Sequence, residues 1–361
     1  TYNVMLMVRL RGPLDISVLQ RCLSDIVARH ETLRTRIVST DGKPSQVVDP
    51  PRPVDLRFID LGSLPEGVRE QRASEESEAE LSRVFDLEQG PLLRALLLRL
   101  SRDEHVLLMP HHHVISDAWS IGVMLSDLAT LYSAYIQSKP SPLPDLPIQY
   151  ADFALWQRSW LKGDLLARQV DYWRQLLEGA PDVLDLPTDM PRPVSGIRKG
   201  AAHRFTIPEA VAEGVRDLAR SEQASLFMVL IAAFQVVLAR WADRDDIVVG
   251  STISGRRDHQ TVGLVGFFAN TLVFRGRFPA GQSIRELLRM TKANAVGNYA
   301  NQDVPFEKLV EALYANRDLS RTPIFQVMFS MLNIPVDSIS MDDIEIESMD
   351  PHAVPDSKFD L

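Results

Sequence analysis

The chain has 361 residues, 45% of them hydrophobic and 24% charged, enough for two domains with sizeable cores and ordinary globular composition. A formal net charge of −9 argues against a nucleic-acid partner, because phosphate binding wants a basic face. No apolar run is long enough to span a bilayer, and a single cysteine, Cys22, leaves no internal disulfide framework and fits a reducing, cytoplasmic compartment.

The chain begins on an apolar pattern, Tyr2 to Leu10, that reads as a strand ending at the breaker Arg11-Gly12-Pro13. Asp15 can cap a helix whose Ile16, Leu19, Leu23, Ile26 and Val27 share one face. Cys22 falls on that helix and reads as a core thiol. Thr35 to Thr40 reads as a second strand, and the charge-rich stretch Arg72 to Val84 as an exposed helix. Ala95 to Leu100 and His105 to Met109 form a hairpin pattern around the turn Ser101 to Glu104. The second strand runs into His111-His112-His113, and a helical pattern follows from Ile121 to Tyr135. Two Pro-rich breaks, Lys139 to Pro147 and Leu186 to Pro193, flank a helical, aromatic-rich segment from Tyr150 to Leu177. Beyond them the pattern predicts strands at His203 to Ile207, Ile247 to Ser251, Phe267 to Phe274 and Ile324 to Leu332. Helices are expected at Leu226 to Trp241, Ile284 to Tyr299 and Phe306 to Tyr314. This order, without strict alternation of strand and helix, predicts an α/β fold of α+β layers rather than a doubly wound sheet. The expected division is a first lobe at 1–165, a bridging helix and Pro-rich linker at 166–195, and a second lobe at 196–361. Both ends read as cut from a larger polypeptide, with the second lobe truncated at its C-terminal side.

The chemistry concentrates in the histidine loop, set between a strand end and a helix start. His113 and Asp117 form H-x-x-x-D, preceded by His112. Histidine titrates near neutrality and can take and return a proton at working pH. Adjacent histidines on a strand project to alternate sides, which is poor geometry for a metal site, and no metal is expected. Asp117 reads as a buried carboxylate that needs a cationic partner. Arg34 is the candidate and Arg29 the alternative.

Further motifs stand in order along the chain. They are Arg29-His30-Glu31-Thr32-Leu33-Arg34-Thr35, Tyr150 to Gln157, Val265 to Val273, Asn301 to Glu307 and Arg317 to Gln326. With the histidine loop, this ordered set closely resembles the condensation domains of nonribosomal peptide synthetases, over nearly the whole chain. The resemblance implies two lobes similar to chloramphenicol acetyltransferase, arranged as a V-shaped pseudo-dimer. It implies peptide-bond formation between a donor aminoacyl or peptidyl thioester and an acceptor aminoacyl thioester. Both would ride on the 4'-phosphopantetheine of upstream and downstream peptidyl carrier proteins, beside an adenylation domain. No cofactor would be bound by the domain itself. By the same resemblance His113 is catalytic, as general base or by positioning the amine, while His112 and Asp117 support the site. The segment Ile115 to Ser120 is similar to the subclass that takes an L-configured donor. Asn270, Ala118 and Trp119 are candidate substrate-positioning residues, Asn270 having a strand-capping role as its alternative. The family pattern has glycine where this chain has Ala118. Alanine there would cost about 1–2 kcal/mol if the backbone were left-handed. Trp119, Trp156, Trp173 and Trp241 read mainly as core. Asp303 and Glu307 read as helix-start acids, and Arg317 and Arg321 as salt-bridge partners or phosphate contacts. Competing readings are an acyl-CoA-dependent acyltransferase, an epimerisation domain and a catalytically silent docking platform; heterocyclisation domains are similar too but carry aspartates in place of the histidines.

Overall fold

The computed structural model describes residues 2–189, 200–313, 322–331, 340–349, 357 and 359–361. The chain divides into two compact units, one of Thr1–Gln157, Arg256–Phe268 and Asn333–Ala353, the other of Arg158–Gly255, Ala269–Leu332 and Val354–Leu361. Neither is continuous in sequence, unlike the division expected at 165 and 195. Of the expected linker, residues up to Leu177 are helical, and Pro191 and Pro193 lie outside the described residues.

In the first unit, β1 (Asn3–Arg11) leads to α1 (Ile16–Arg29), which Asp15 caps through Ser17 N–H and Val18 N–H. There follow β2 (Thr35–Thr40), β3 (Lys43–Val48), β4 (Leu56–Asp60) and α2 (Glu66–Ser82). Then come β5 (Ala95–Ser101), β6 (Glu104–His112), α3 (Ala118–Ile136) and α4 (Tyr150–Trp160), which runs into the second unit. The second unit continues with α5 (Gly163–Leu177), α6 (Glu209–Ser221), α7 (Leu226–Ala242) and β7 (Asp246–Ile253). The chain returns to the first unit for α8 (His259–Val262), then adds β8 (Asn270–Arg277), α9 (Ile284–Ala300) and α10 (Phe306–Leu313) to the second. The strands β9 (Ser340–Met341) and β10 (Ile344–Ser348) belong to the first unit.

The first unit is built on a sheet of order β4-β5-β6-β1-β10-β9. Only the β4–β5 pair is parallel. Side chains alternate across it. Leu6, Val8, Leu10, Leu107 and Met109 join a core with Leu19, Leu23 and Ile26 of α1 and Leu125 and Leu128 of α3. Met5, Met7, Val106 and Leu108 face the opposite way, into a core that includes Ala73 of α2. Both faces are covered, so β1, β5 and β6 carry nearly continuous apolar runs. The second unit packs α7, α9 and α10 around the antiparallel β7–β8 pair, with Trp173 and Phe325 fully buried.

Several expected elements differ. Residues 203–207 form no strand, and 324–331 contribute a single parallel bridge, Met328 to Gly250, rather than a strand. The helix expected over 150–177 is two, broken before Gly163, whose φ is +58°. Of the four tryptophans read as core, Trp173 is buried, Trp119 is half-buried, and Trp156 and Trp241 are more than half exposed.

Candidate active site

Strand β6 ends at His112, and a short 3-10 turn, His113–Ile115, carries the chain into α3. The alternation of a strand therefore separates His111 from His112 but does not reach His113. His111 shares the parity of Leu107 and Met109 and is fully buried on the α1/α3 side of the sheet. Burial pushes its imidazole down to about 4, so the ring is neutral. Its Nδ1 lies 2.9 Å from the Met109 carbonyl and its Nε2 2.6 Å from Ser116 Oγ. His112 uses Nδ1 to accept the Val114 N–H at 3.1 Å, capping the 3-10 turn. His113 is half-buried, with Nδ1 2.7 Å from the Ser116 carbonyl. A carbonyl can only accept, so His113 carries its proton on Nδ1 and, when neutral, presents an unprotonated Nε2.

Asp117 is the N-cap of α3 and is 3% exposed. Its Oδ1 accepts from Ser120 N–H and Oγ–H at 2.8 and 2.7 Å, and its Oδ2 from Phe268 N–H at 3.0 Å. Its cationic partner is Arg256, whose Nη2 lies 3.1 and 3.3 Å from the two carboxylate oxygens. This corrects the expected Arg34 partner. Arg34 instead donates to the Asp49 carbonyl and to Glu31, because it closes the 3-10 turn Glu31–Arg34 that leads into β2. Arg29, the alternative, bonds the Pro144 carbonyl and pairs with Asp127. Burial lowers the Arg256 pKa, and Asp117 opposes that shift. The guanidinium also bonds the Leu264 carbonyl and lies 4.1 Å over the Phe268 ring. Arg256 was missed in the sequence, although it follows a glycine at the end of an apolar strand pattern, ten residues before Gly266.

Arg256–Phe268 thus forms a loop clamped onto the first unit. Trp119 Nε1–H donates to the Val262 carbonyl at 2.9 Å, Thr32 Oγ–H to the Val265 carbonyl, and Val265 N–H to His30 Nδ1. Tyr150 O–H donates to the Phe267 carbonyl, and burial holds that phenol neutral, at about 12. The Phe267 ring stands edge-on to His113, with centroids 5.0 Å apart. The motifs around residues 29–35, 113–120, 150 and 265–268 are therefore brought together.

Other site expectations are revised. Ala118 opens α3 and is not among the positive-φ residues, so no left-handed strain arises there. Trp119 spends its indole N–H on the loop rather than on a substrate. Asn270 lies in the second unit and uses its whole amide, Nδ2 donating to the Gln302 and Val304 carbonyls and Oδ1 accepting from Thr271 and Phe306 N–H. That is the capping role, with no group left to position a substrate. Asp303 accepts from Gln169, and Glu307 lies in the first turn of α10. Arg317 and Arg321 lie outside the described residues. Cys22 is fully buried with its thiol pushed up to about 12, an inert core position. Among the described residues no group of three or more His, Cys, Asp and Glu could hold a metal ion. No single described helix is long and apolar enough to cross a membrane.

A mixed α/β fold carrying a histidine and a clamped aspartate at a strand-to-helix junction narrows the class, and comparison supplies the family. The condensation-domain model matches residues 1–361. The chain is 43% identical over 360 residues to a component of linear gramicidin synthase from Brevibacillus parabrevis, covering 99% of itself and 7% of that protein. It is similar to the X-domain from teicoplanin biosynthesis, with 26% identity and a TM-score of 0.85 over 99% of this chain and 79% of that one. Its likeness to the first condensation domain of the CDA synthetase is one of fold, with 21% identity and a TM-score of 0.79 over 99% and 82% of the two chains. The chain belongs to the condensation-domain family, whose members in peptide synthetases are acyltransferase-type enzymes that form amide bonds.

Proposed function

We propose that the domain joins an L-configured donor aminoacyl or peptidyl thioester to an acceptor aminoacyl thioester. Both are presented on phosphopantetheine by carrier proteins of a cytoplasmic synthetase that also holds an adenylation domain. The observation that carries this reading is the bond from His113 Nδ1–H to the Ser116 carbonyl, which leaves Nε2 as the ring's one basic atom. The acceptor amine would donate an N–H to that lone pair and attack the thioester carbon. As the C–N bond forms, the proton passes to His113. The tetrahedral oxyanion collapses, the C–S bond breaks, and the leaving thiolate takes the proton back. Holding the amine on Nε2 also orients it, a contribution of roughly 7–11 kcal/mol where alignment is good. His112 supports the turn and Asp117 the start of α3.

A second reading, a docking platform, is favoured by the likeness to the teicoplanin X-domain, which has been solved in complex with OxyB. A single-turnover reaction between loaded donor and acceptor carriers, followed by intact-protein mass spectrometry, separates the two. A dipeptidyl mass on the acceptor with L-donors, slower by tenfold or more with D-donors, is the expected result. Carrier binding without transfer would favour the platform, and equal rates for both enantiomers would overturn the L-donor assignment.

A further inference from the structure

We infer that His111 and Ser116 act as a pair of positioning residues that set the tautomer and aim of His113. This rests on the reading of His113 as the proton-accepting residue.

The geometry fixes every proton along the path. The Met109 carbonyl accepts, so His111 carries its proton on Nδ1. Its neutral Nε2 then accepts, and Ser116 Oγ–H is the donor across 2.6 Å. Ser116 turns its carbonyl to His113 Nδ1–H at 2.7 Å and its own N–H to the His113 carbonyl at 3.3 Å. The next residue, Asp117, is held by Ser120, Phe268 and Arg256. The peptide plane between Ser116 and Asp117 is therefore tied on both sides, by His111 through the serine hydroxyl and by the Asp117 clamp. Its carbonyl cannot swing away from His113 without breaking a fully buried hydrogen bond. An apolar residue at 111 would satisfy the sheet core as well as histidine does, since its neighbours Leu107 and Met109 are apolar. What histidine adds is one buried acceptor aimed at Ser116. A methionine at 111 or an alanine at 116 would leave the carbonyl present but free to turn, and the His113 ring free to flip its proton to Nε2.

The test pairs two readouts on the full chain. Long-range 1H–15N correlation spectra of 15N-histidine-labelled protein report the tautomer of each ring. Wild type is expected to show Nδ1–H with bare Nε2 at both His111 and His113, and an Nε2–H form at His111 overturns the inference. Ser116→Ala and His111→Met are each expected to mix the His113 tautomers and to slow single-turnover transfer about tenfold. The acceptor-carrier concentration at half-maximal rate should stay unchanged. The double variant is expected to be no slower than either single one, because the two residues act as one tether. Unchanged tautomers in a folded variant, or multiplying rate losses, overturn the pairing. The tautomer spectra do not depend on catalysis. Full transfer by His113→Ala would therefore refute the proton-accepting role while leaving the tether measurable.

Discussion

Asp117 is bonded by Ser120, Phe268 and Arg256 and is almost wholly out of water. A buried carboxylate in that position depends on its paired cation. Removing one member of a buried ion pair costs about 3–5 kcal/mol, because the other charge is left uncompensated. Arg256→Met should therefore lose stability in that range by urea unfolding. Arg34→Met should lose about 1 kcal/mol, because its ion pair with the partly exposed Glu31 is long, at 3.4 Å. Equal losses would show that Arg34 shares the burden. The sequence made the need for a cation legible through the H-x-x-x-D pattern, but not its supplier. Arg34 and Arg256 are both arginines beside a strand, and only the tertiary path brings residue 256 back to residue 117. Asn270 was ambiguous for a similar reason: an amide after an apolar run can face a substrate or cap its neighbours, and four satisfied hydrogen bonds decide for capping.

At the scale of elements, the loop Arg256–Phe268 gathers the site. It is tied by His30 and Thr32, by Trp119 and by Tyr150, from three stretches of the first unit. Its tolerance is narrow at Gly266, where an added Cβ would sit 2.4 Å from Tyr150 Cδ2 and 2.9 Å from Phe268 Cε2. Overpacking of this kind costs about 1–3 kcal/mol. Gly266→Ala should lose that much stability and slow transfer, with carrier binding retained. Unfolding curves and single-turnover rates check both, and a neutral variant would show that the loop yields without consequence. Elements buried on both faces, such as β1, β5 and β6, were legible as apolar runs. β3 was not, because its Lys-Pro-Ser-Gln start is exposed and pairs only with β2. The 203–207 stretch alternates convincingly, yet its residues stay exposed and form no strand.

For the whole molecule, the sequence-level motifs were a better guide than the order of residues. The first unit is assembled from three separate stretches of chain. A division at consecutive boundaries had no means of showing that residues 256–268 join it. The α/β class followed from the order of strand and helix patterns, and the family from the ordered motifs. The positions of Arg256 and of the His111–Ser116 bond required the fold. All of these contacts converge on His113, whose ring is held by Ser116 and faced by Phe267. The most direct test is the single-turnover rate of dipeptide formation on the acceptor carrier, wild type against His113→Ala, at saturating loaded carriers. Loss of the Nε2 base should slow transfer by about 10²–10⁴, with both carriers still bound. Transfer within threefold of wild type would contradict the account, because the reaction would then proceed without the atom that the site is built to present.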